Sequence, residues 1–434
     1  MFKLSNKVFY QRHKNEIKKF ISNNESLHII NKNSRNKLNL LSCDQVDIDL
    51  DNEDYSSIRL VNKKYDTIIL TDIIENQENL YKLMQSICLL LNDDGRLVIS
   101  SINSKYNLLI SLLEKMGFKD KNKSSSYIHL TKINKITNGL GLEYQKHYTR
   151  QIIPFKFLFI GTLLNRILES LFFRFNFGIK TYMIFRSEKQ THFKYSKTII
   201  IPAKNEEGNL DELIDRIPSF DNTEIIFAYG ESQDKTLEKI EQIIDKNNDY
   251  KFKLIKQTKN GKANAVWEAL DIVENDIIAI LDADISVEPE NLKDFFEILE
   301  LNRADFVNGT RLIYDMDKKS MRYLNKLGNR FFQFFISRII KEPLTDSLCG
   351  TKVFKKSFIK DIKFWQSKFN IEDPFGDFDL IFSSAFTGQK IVELPISYKE
   401  RRYGTTQISR FRDGFRLLKY MTLSFIVFNT SEGY

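Results

Sequence analysis

From Lys197 to Leu301, four short apolar runs alternate with amphipathic stretches of helical length, and this alternation strongly limits the folds open to the second half of the chain. The runs are Thr198–Ile201, Glu224–Phe227, Lys253–Ile255 and Ile277–Leu281. The stretches between and after them predict helices over Leu210–Arg216, Lys235–Ile244, Ala263–Val273 and Pro289–Leu301. The last has proline near its start, where the missing N–H is not needed. Strands separated by helices build a parallel, doubly wound sheet, so every strand-to-helix loop opens on the same edge. The fourth run, Ile277-Ile278-Ala279-Ile280-Leu281, is apolar throughout, as a strand buried on both faces must be.

The chemistry lies in the loops on that edge. Ile201-Pro202-Ala203-Lys204-Asn205-Glu206 follows the first strand, and Gly230-Glu231-Ser232-Gln233-Asp234 the second. Gly261-Lys262-Ala263 opens the third helix, where free N–H groups and a lysine favour anionic oxygens. Asp282-Ala283-Asp284 follows the fourth strand. Two carboxylates at a strand's C-terminal end sit where open α/β sheets take ligands. Hard oxygens beside a phosphate site suit Mg²⁺ or Mn²⁺. An acidic turn would explain these three residues alone; four polar loops in series favour a ligand site.

Together these loops resemble the family-two glycosyltransferases of GT-A fold, in the branch near dolichyl-phosphate mannose synthases. The likeness continues through Asn308-Gly309-Thr310-Arg311, Thr345 to Lys352, Asp373 to Leu380, and Arg401 to Ile408. It implies that Pro202, Lys204 and Glu206 line the base and ribose of a nucleotide-sugar. By the same likeness Asp282, Ala283 and Asp284 hold ribose, metal and diphosphate, with Asp282 and Asp284 as metal ligands. Arg311 and Arg401 match positions that contact phosphate. Tyr229 stands where the family commonly has an acid, and Gln407 where it often has a base.

The implied reaction is metal-dependent, inverting glycosyl transfer to a lipid-linked, polyprenyl-phosphate or saccharide acceptor, as in cell-envelope polysaccharide biosynthesis. Metal and arginines would stabilise the leaving diphosphate. A hydroxyl acceptor also needs a general base; a phosphate acceptor would not. Asp377 is the expected base and Asp346 the expected positioning residue, with Asp379 a further candidate and Asp373 behind them. Helix capping is a competing role for one of the carboxylates between Asp373 and Asp379.

The first half reads differently. Tyr65–Leu70 predicts a buried strand, Asn79–Leu91 a helix, Asn92-Asp93-Asp94-Gly95 a turn and Arg96–Ser100 a second strand. This block resembles the second half of a class I S-adenosylmethionine-dependent methyltransferase, with Gly139–Tyr144 and Lys180–Phe185 as its last strands. Such enzymes hold their cofactor against a glycine-rich turn, because only glycine lets backbone approach so closely. Here that stretch is Leu27–Arg35, and the first glycine of the chain is Gly95. The expected architecture is α/β: a Rossmann-like, degenerate and non-catalytic methyltransferase-type domain over residues 1–190, then a GT-A doubly wound domain over 191–434.

Between Gln151 and Phe177, apolar residues Phe157, Ile160, Leu164, Leu168, Leu171 and Phe172 recur at helical spacing, while Asn165, Arg166, Glu169 and Ser170 share another face. Two readings stay open. One is a helix in a membrane interface with Arg150, Lys156, Arg166, Arg174 and Lys180 toward anionic headgroups. The other, favoured here, is a helix covering the first domain's sheet or packing between domains.

At 434 residues, 42% hydrophobic and 28% charged, the chain is of ordinary globular composition. Its net charge of +8 suits anionic partners. Basic residues are interspersed with acids, which argues against nucleic acid. Cys43, Cys88 and Cys349 are scattered and imply neither disulfides nor zinc. With no signal peptide or spanning segment expected, a cytoplasmic protein at the inner face of a membrane fits. Peripheral contact through Phe411–Phe428, beside Arg410, Arg412, Arg416 and Lys419, is one reading of the tail; packing on the catalytic domain is the other. The rival functions are a bifunctional methyltransferase–glycosyltransferase, opposed by the missing glycines, a scaffold role for the first domain, and a sugar-phosphate nucleotidyltransferase, opposed by the loop at Pro202–Glu207.

Overall fold

The computed structural model describes residues 2–21, 25–31, 43–48, 58, 61–74, 80–109, 112, 130–153, 161–172, 175–187, 192–247, 249–312, 323–369, 371–399, 401, 403 and 410–430. Residues 32–35, Asn79, Lys156, Phe157, Ile160, Arg174, Arg402, 404–408 (Gln407 among them) and 431–434 lie outside these. The chain divides into two compact units, Met1–Gln190 and Thr191–Thr430.

In the first unit, α1 (Phe2–Lys18) precedes β1 (Ser26–Asn31), β2 (Asp44–Ile48) and β3 (Tyr65–Thr71). Next come α2 (Leu80–Cys88), β4 (Leu91–Ile102), α3 (Leu130–Asn138), β5 (Leu142–Arg150), α4 (Gly161–Leu171) and β6 (Lys180–Ser187). The sheet order is β2-β1-β3-β4-β6-β5. β1 to β4 run parallel, and β6 lies antiparallel to both neighbours. This is the Rossmann-like, methyltransferase-type arrangement expected from the sequence. The expected turn at Asn92–Gly95 loops out within β4, between the pairs Tyr65↔Leu91 and Thr67↔Arg96. The strand expected from Gly139 begins later, at Leu142, because Gly141 turns with φ of 73°.

Alternation along these strands sorts two faces. Ile68, Leu70, Leu97 and Ile99 pack under α2 with Leu83, Met84 and Ile87. Ile69, Val98, Tyr182 and Ile184 meet Ile17, just before the end of α1, and Phe20 beyond it. That second face also buries polar groups. His13 Nδ1 lies 2.8 Å from the Tyr182 hydroxyl, and His28 Nε2 lies 2.9 Å from Thr71 Oγ1. Burial lowers the His13 imidazole to about 3 and His28 to about 4, so both are neutral.

The second unit contains β7 (Lys197–Ala203), α5 (Leu210–Arg216), β8 (Thr223–Tyr229), α6 (Thr236–Lys246), β9 (Lys251–Lys256), α7 (Lys262–Leu270) and β10 (Ile277–Ile280). It continues with α8 (Leu292–Glu300), β11 (Phe306–Thr310), α9 (Tyr323–Ile340), β12 (Lys352–Lys355), α10 (Ile359–Gln366), α11 (Asp377–Phe386), β13 (Ile391–Pro395) and α12 (Arg410–Thr430). A single-turn 3₁₀ segment at Pro289–Asn291 forms the start of the helix expected there.

Its sheet runs β13-β11-β12-β10-β7-β8-β9. β7 to β10 are parallel, as the alternation required, while β12 is antiparallel to β10 and β11. The apolar run at Ile277 is buried on both sides. Ile278 and Ile280 join Ile200, Phe354 and Phe382 on one face; Ile277, Ala279 and Leu281 join Ile199, Phe227 and Phe295 on the other. Each such isoleucine contributes roughly 1.5–3 kcal/mol on burial. Because β12 is reversed, the loop leading into it arrives at the same edge as the loop leaving β10.

Candidate functional site

The loops that leave β7 and β8 lace together at that edge. Asn205 adopts φ of 56°, and its Oδ1 accepts from Gln233 N at 2.7 Å. Glu206 N donates to Thr236 Oγ1 at 2.9 Å, and Lys235 N donates to Glu207 at 3.1 Å. Pro202 stands opposite Ala228 and Ala203 closes the register of β7 opposite Tyr229; Lys204 follows, exposed. Tyr229 ends β8, and its hydroxyl accepts from Ser232 N at 3.1 Å, so it holds its own loop.

Beyond β10, Asp282 pairs with Lys262 at the start of α7. Ala283 is buried between the two aspartates. Asp284 Oδ1 accepts from Ser286 N at 3.0 Å, and Oδ2 accepts from Arg401 Nη2 at 2.5 Å. Ile285 sits between them at φ of 52°, a left-handed conformation that costs a β-branched residue about 1–3 kcal/mol. Arg401 also lies 3.8 Å from Glu206 Oε1. Burial pushes the Glu206 carboxyl up to about 7, while Asn209 and Arg401 oppose the rise. Burial would raise Asp282 too, but the Lys262 ammonium, with Lys352 and Arg311 behind it, holds it below the usual range. Lys262 is raised despite burial, by Asp282 first and then Asp377. Asp282, Asp284, Asp377, Glu206, Lys262 and Arg401 therefore share one electrostatic neighbourhood.

The reversed strand supplies the opposite wall. Lys352, fully buried, donates to Asp377 Oδ1 at 2.5 Å and to the carbonyl of Cys349. Gly350 lies against the Lys262–Asp282 pair so closely that a Cβ there would fall on Asp282 Oδ2 and 2.7 Å from Lys262 Nζ. Beside this contact, a cleft is lined by Lys262, Trp267, Gly350, Phe375 and Asp377. Gly376, at φ of 81°, lets the Trp267 ring approach the loop before α11.

Arg311 and Asp346 form a second, buried centre. Arg311 Nε and Nη2 donate to the two Asp346 oxygens at 2.7 and 2.9 Å, and Arg311 lies 5.0 Å over the Tyr398 ring. Burial opposes ionisation of Asp346, yet Arg311 and Asn329 hold its carboxyl at about 2. Glu393 of β13 fixes the approach to this loop, accepting from Thr345 N at 2.8 Å and Asp346 N at 3.2 Å.

The carboxylates around α11 separate by role. Asp373 accepts from the first-turn N–H groups of Phe378 at 2.7 Å and Asp379 at 3.1 Å, which is the capping function weighed above. Asp379 accepts from Gln366 at 3.0 Å and from the Tyr420 hydroxyl. Two residues apart on a helix, Asp377 and Asp379 point about 200° apart. The structure thus brings Asp377, but not Asp379, to Asp282 and Lys262. Lys352, Asn329 and Glu393 escaped the sequence reading; Lys352 had a signal, the end of the Thr345–Lys352 motif.

Among the described residues, no three His, Cys, Asp or Glu side chains gather as a self-sufficient metal site. Two carboxylates with a diphosphate can complete the shell of a cation that keeps its waters, and Asp282 and Asp284 have that donor chemistry.

Residues 198–363 match the sequence model described as glycosyl transferase family 2, and residues 13–147 match one described as a methyltransferase domain. A dolichol-phosphate mannosyltransferase of Pyrococcus furiosus is 25% identical over 238 residues, covering 51% of this chain and 64% of that protein. A dodecaprenyl-phosphate galacturonate synthase of Rhizobium johnstonii is 23% identical over 172 residues, covering 38% and 49%. The chain thus spans about half to two thirds of the length of these relatives. Among solved structures, glucosyl-3-phosphoglycerate synthase of Mycobacterium tuberculosis, with Mn²⁺, UDP and glucosyl-3-phosphoglycerate, aligns with a TM-score of 0.41 at 16% identity, covering 53% of this chain and 80% of that one. TarS of S. aureus, in complex with UDP-GlcNAc, aligns at 0.36 and 18%, covering 53% and 66%.

Proposed function

We infer, from a second unit that carries a family 2 glycosyltransferase domain behind a methyltransferase-type first unit, that the chain transfers a sugar with inversion from a nucleotide-sugar to a polyprenyl-phosphate or other lipid-linked acceptor. The observation that carries this reading is the shared neighbourhood of Asp282, Asp284, Lys262 and Arg401 facing Asp377 across Gly350. Pro202, Lys204, Glu206 and Tyr229 would border the nucleotide. A Mg²⁺ or Mn²⁺ ion held by Asp282 and Asp284 would supply Lewis-acid stabilisation of the diphosphate. Lys262 and Arg401, already paired to these carboxylates, would turn toward phosphate oxygens when the donor binds. Asp377, oriented by Lys352, would take the proton of a hydroxyl acceptor. Arg311, clamped by Asp346, would present a fixed positive field to the leaving group.

A lipid acceptor is supported by the names of the relatives, which act on dolichol and dodecaprenyl phosphates, and by two helices of this unit. α9 and α12 pack on one another, yet leave Phe331, Phe334, Phe335, Phe415 and Leu418 exposed beside Arg330, Arg412 and Arg416. No helix among the described residues is long and apolar enough to cross a membrane, so contact would be peripheral. We propose that the first unit is non-catalytic: at its sheet edge the Asp72 carboxylate is taken by Lys180.

Screening the purified chain with Mn²⁺ or Mg²⁺ against UDP-, GDP- and dTDP-sugars, reading thermal shift and donor hydrolysis, tests the proposal. A response to one donor class is expected. Silence toward every nucleotide-sugar would overturn it.

A further inference from the structure

Helix α4 of the first unit is turned inside out. Its buried face is polar: Asn165 is 3% exposed and Glu169 7%. Its outward face is apolar, with Leu164, Ile167 and Leu171 at 38%, 40% and 54%. Directional bonds fix this orientation. Asn165 Oδ1 accepts from Ile153 N at 3.0 Å, Glu169 Oε2 accepts from Arg150 at 2.9 Å, and Glu169 Oε1 accepts from Gln151 N at 2.5 Å. Arg150 is shared with Glu16 at 3.1 Å. Rolling α4 to hide its leucines would strand a buried carboxylate and guanidinium, a costly change.

The apolar stripe continues into a ring cluster. Phe175 and Phe177 stack at 5.6 Å, with Phe172 6.2 Å from the first and 6.3 Å from the second, and all three rings are exposed. Lys105 holds this cluster from the side, its Nζ 5.5 Å from the Phe177 centroid and donating to Phe175 O at 2.5 Å. Exposed Leu108 and Leu109 follow. Patches of this kind mark an interaction surface.

The charge of this part of the sequence points to the partner. Residues 101–190 hold 15 Lys and Arg against 5 Asp and Glu, more net positive charge than the +8 of the whole chain. Arg150 and Lys180 are not the cations facing outward, since both are buried in ion pairs; Lys105, Arg166 and Lys135 remain at least partly exposed. Leucine and phenylalanine side chains in a basic setting, with a lysine ammonium beside an aromatic ring, match an anionic bilayer surface.

We propose that the first unit is a membrane-docking module that lays the outer face of α4 and the Phe172–Phe175–Phe177 cluster into an anionic lipid leaflet. This gives the methyltransferase-type unit a role without methyl transfer, and it holds whatever sugar or acceptor the second unit uses. Both native tryptophans, Trp267 and Trp365, lie in the second unit, so Phe175→Trp places a reporter in the patch. On the full chain, brominated phosphatidylglycerol vesicles should quench the added emission. Ile167→Glu combined with Leu171→Glu should lower partitioning onto such vesicles at least tenfold. Melting temperature and transfer to a detergent-solubilised acceptor should stay unchanged. Unquenched Phe175→Trp emission, unchanged partitioning of the double variant, or equal binding to pure phosphatidylcholine would overturn the proposal. So would a lipid-free dimer that the double variant converts to monomer, since a second copy would then be the occupant.

Discussion

Arg311 grips Asp346 through two parallel hydrogen bonds of 2.7 and 2.9 Å, inside a pocket where Asp346 has no exposed surface. Removing one partner of a buried ion pair leaves the other uncompensated, at a cost of about 3–5 kcal/mol. Asp346→Ala should therefore destabilise the chain by about that amount in urea unfolding. The folded carboxyl sits at about 2, below its unfolded value. Its contribution to stability is thus fully present above about pH 4 and is lost as the pH falls toward 2. A loss under about 1 kcal/mol would mean that the pair is not a structural element.

Gly350 separates the two walls of the site. In Gly350→Ala the atoms nearest the new methyl are the side-chain ends of Asp282 and Lys262, which can shift. Stability should change by less than about 1 kcal/mol. The KM for the nucleotide-sugar should rise by roughly tenfold or more, since about 1.4 kcal/mol of lost phosphate contact is tenfold. Initial-rate kinetics beside a thermal melt would read both quantities.

Asp377→Asn keeps the shape of the side chain and removes its basicity. Transfer to a hydroxyl acceptor should fall by about 10²–10⁴-fold, with nucleotide affinity by calorimetry unaltered. Lys352→Met should lower turnover as well, because the carboxylate loses the cation that orients it. Undiminished turnover in Asp377→Asn with a hydroxyl acceptor would dismiss it as the base.

Asp373 gives the second unit an unusual pH dependence. Burial, then the nearby charges of Asp379 and Asp377, push its carboxyl up to about 8, while the unfolded group ionises near 4. Between those values the folded state holds more protons than the unfolded one, so this group makes stability fall as pH rises from about 4 to about 8. Asp373→Asn still accepts from the first turn of α11 and no longer titrates. Its melting temperature should decline less across that range than that of the unsubstituted chain; parallel curves would show that Asp373 is ionised throughout.

Titrating the chain with S-adenosylmethionine should give no binding in the micromolar range. A micromolar dissociation constant would restore the bifunctional reading.

The sequence made the second sheet's parallel half readable because β7, β8 and β10 are short, largely apolar runs bounded by polar loops and buried along nearly their whole length, while the edge strand β9 is only partly buried. It also placed Asp282 and Asp284 at the edge where loops converge. Other features depend on partners remote in sequence. Lys352 meets Asp377 only because β12 is reversed, and four residues of strand carry no sign of their direction. Glu393 looks like an ordinary strand acid until Thr345 arrives 48 residues away. In α4 the apolar stripe was evident from spacing, but spacing does not say which face turns inward. Asn165, Glu169 and the backbone at Gln151 and Ile153 decide that.

The reversal of β12 also acts as a check on assembly. Lys352 stands opposite Ile280, and Val353 opposite Ala279. A slip of one residue would exchange the faces of the whole strand, carrying Lys352 away from Asp377 and driving its ammonium among Val307 and Leu281 on the opposite face. Such a chain would lack the Lys352 cation beside Asp377 and would hold a buried charge in an apolar layer. The lysine that pairs with Asp377 would thereby destabilise a mispaired molecule, so errors in folding would be removed rather than accumulate as sound but misassembled protein.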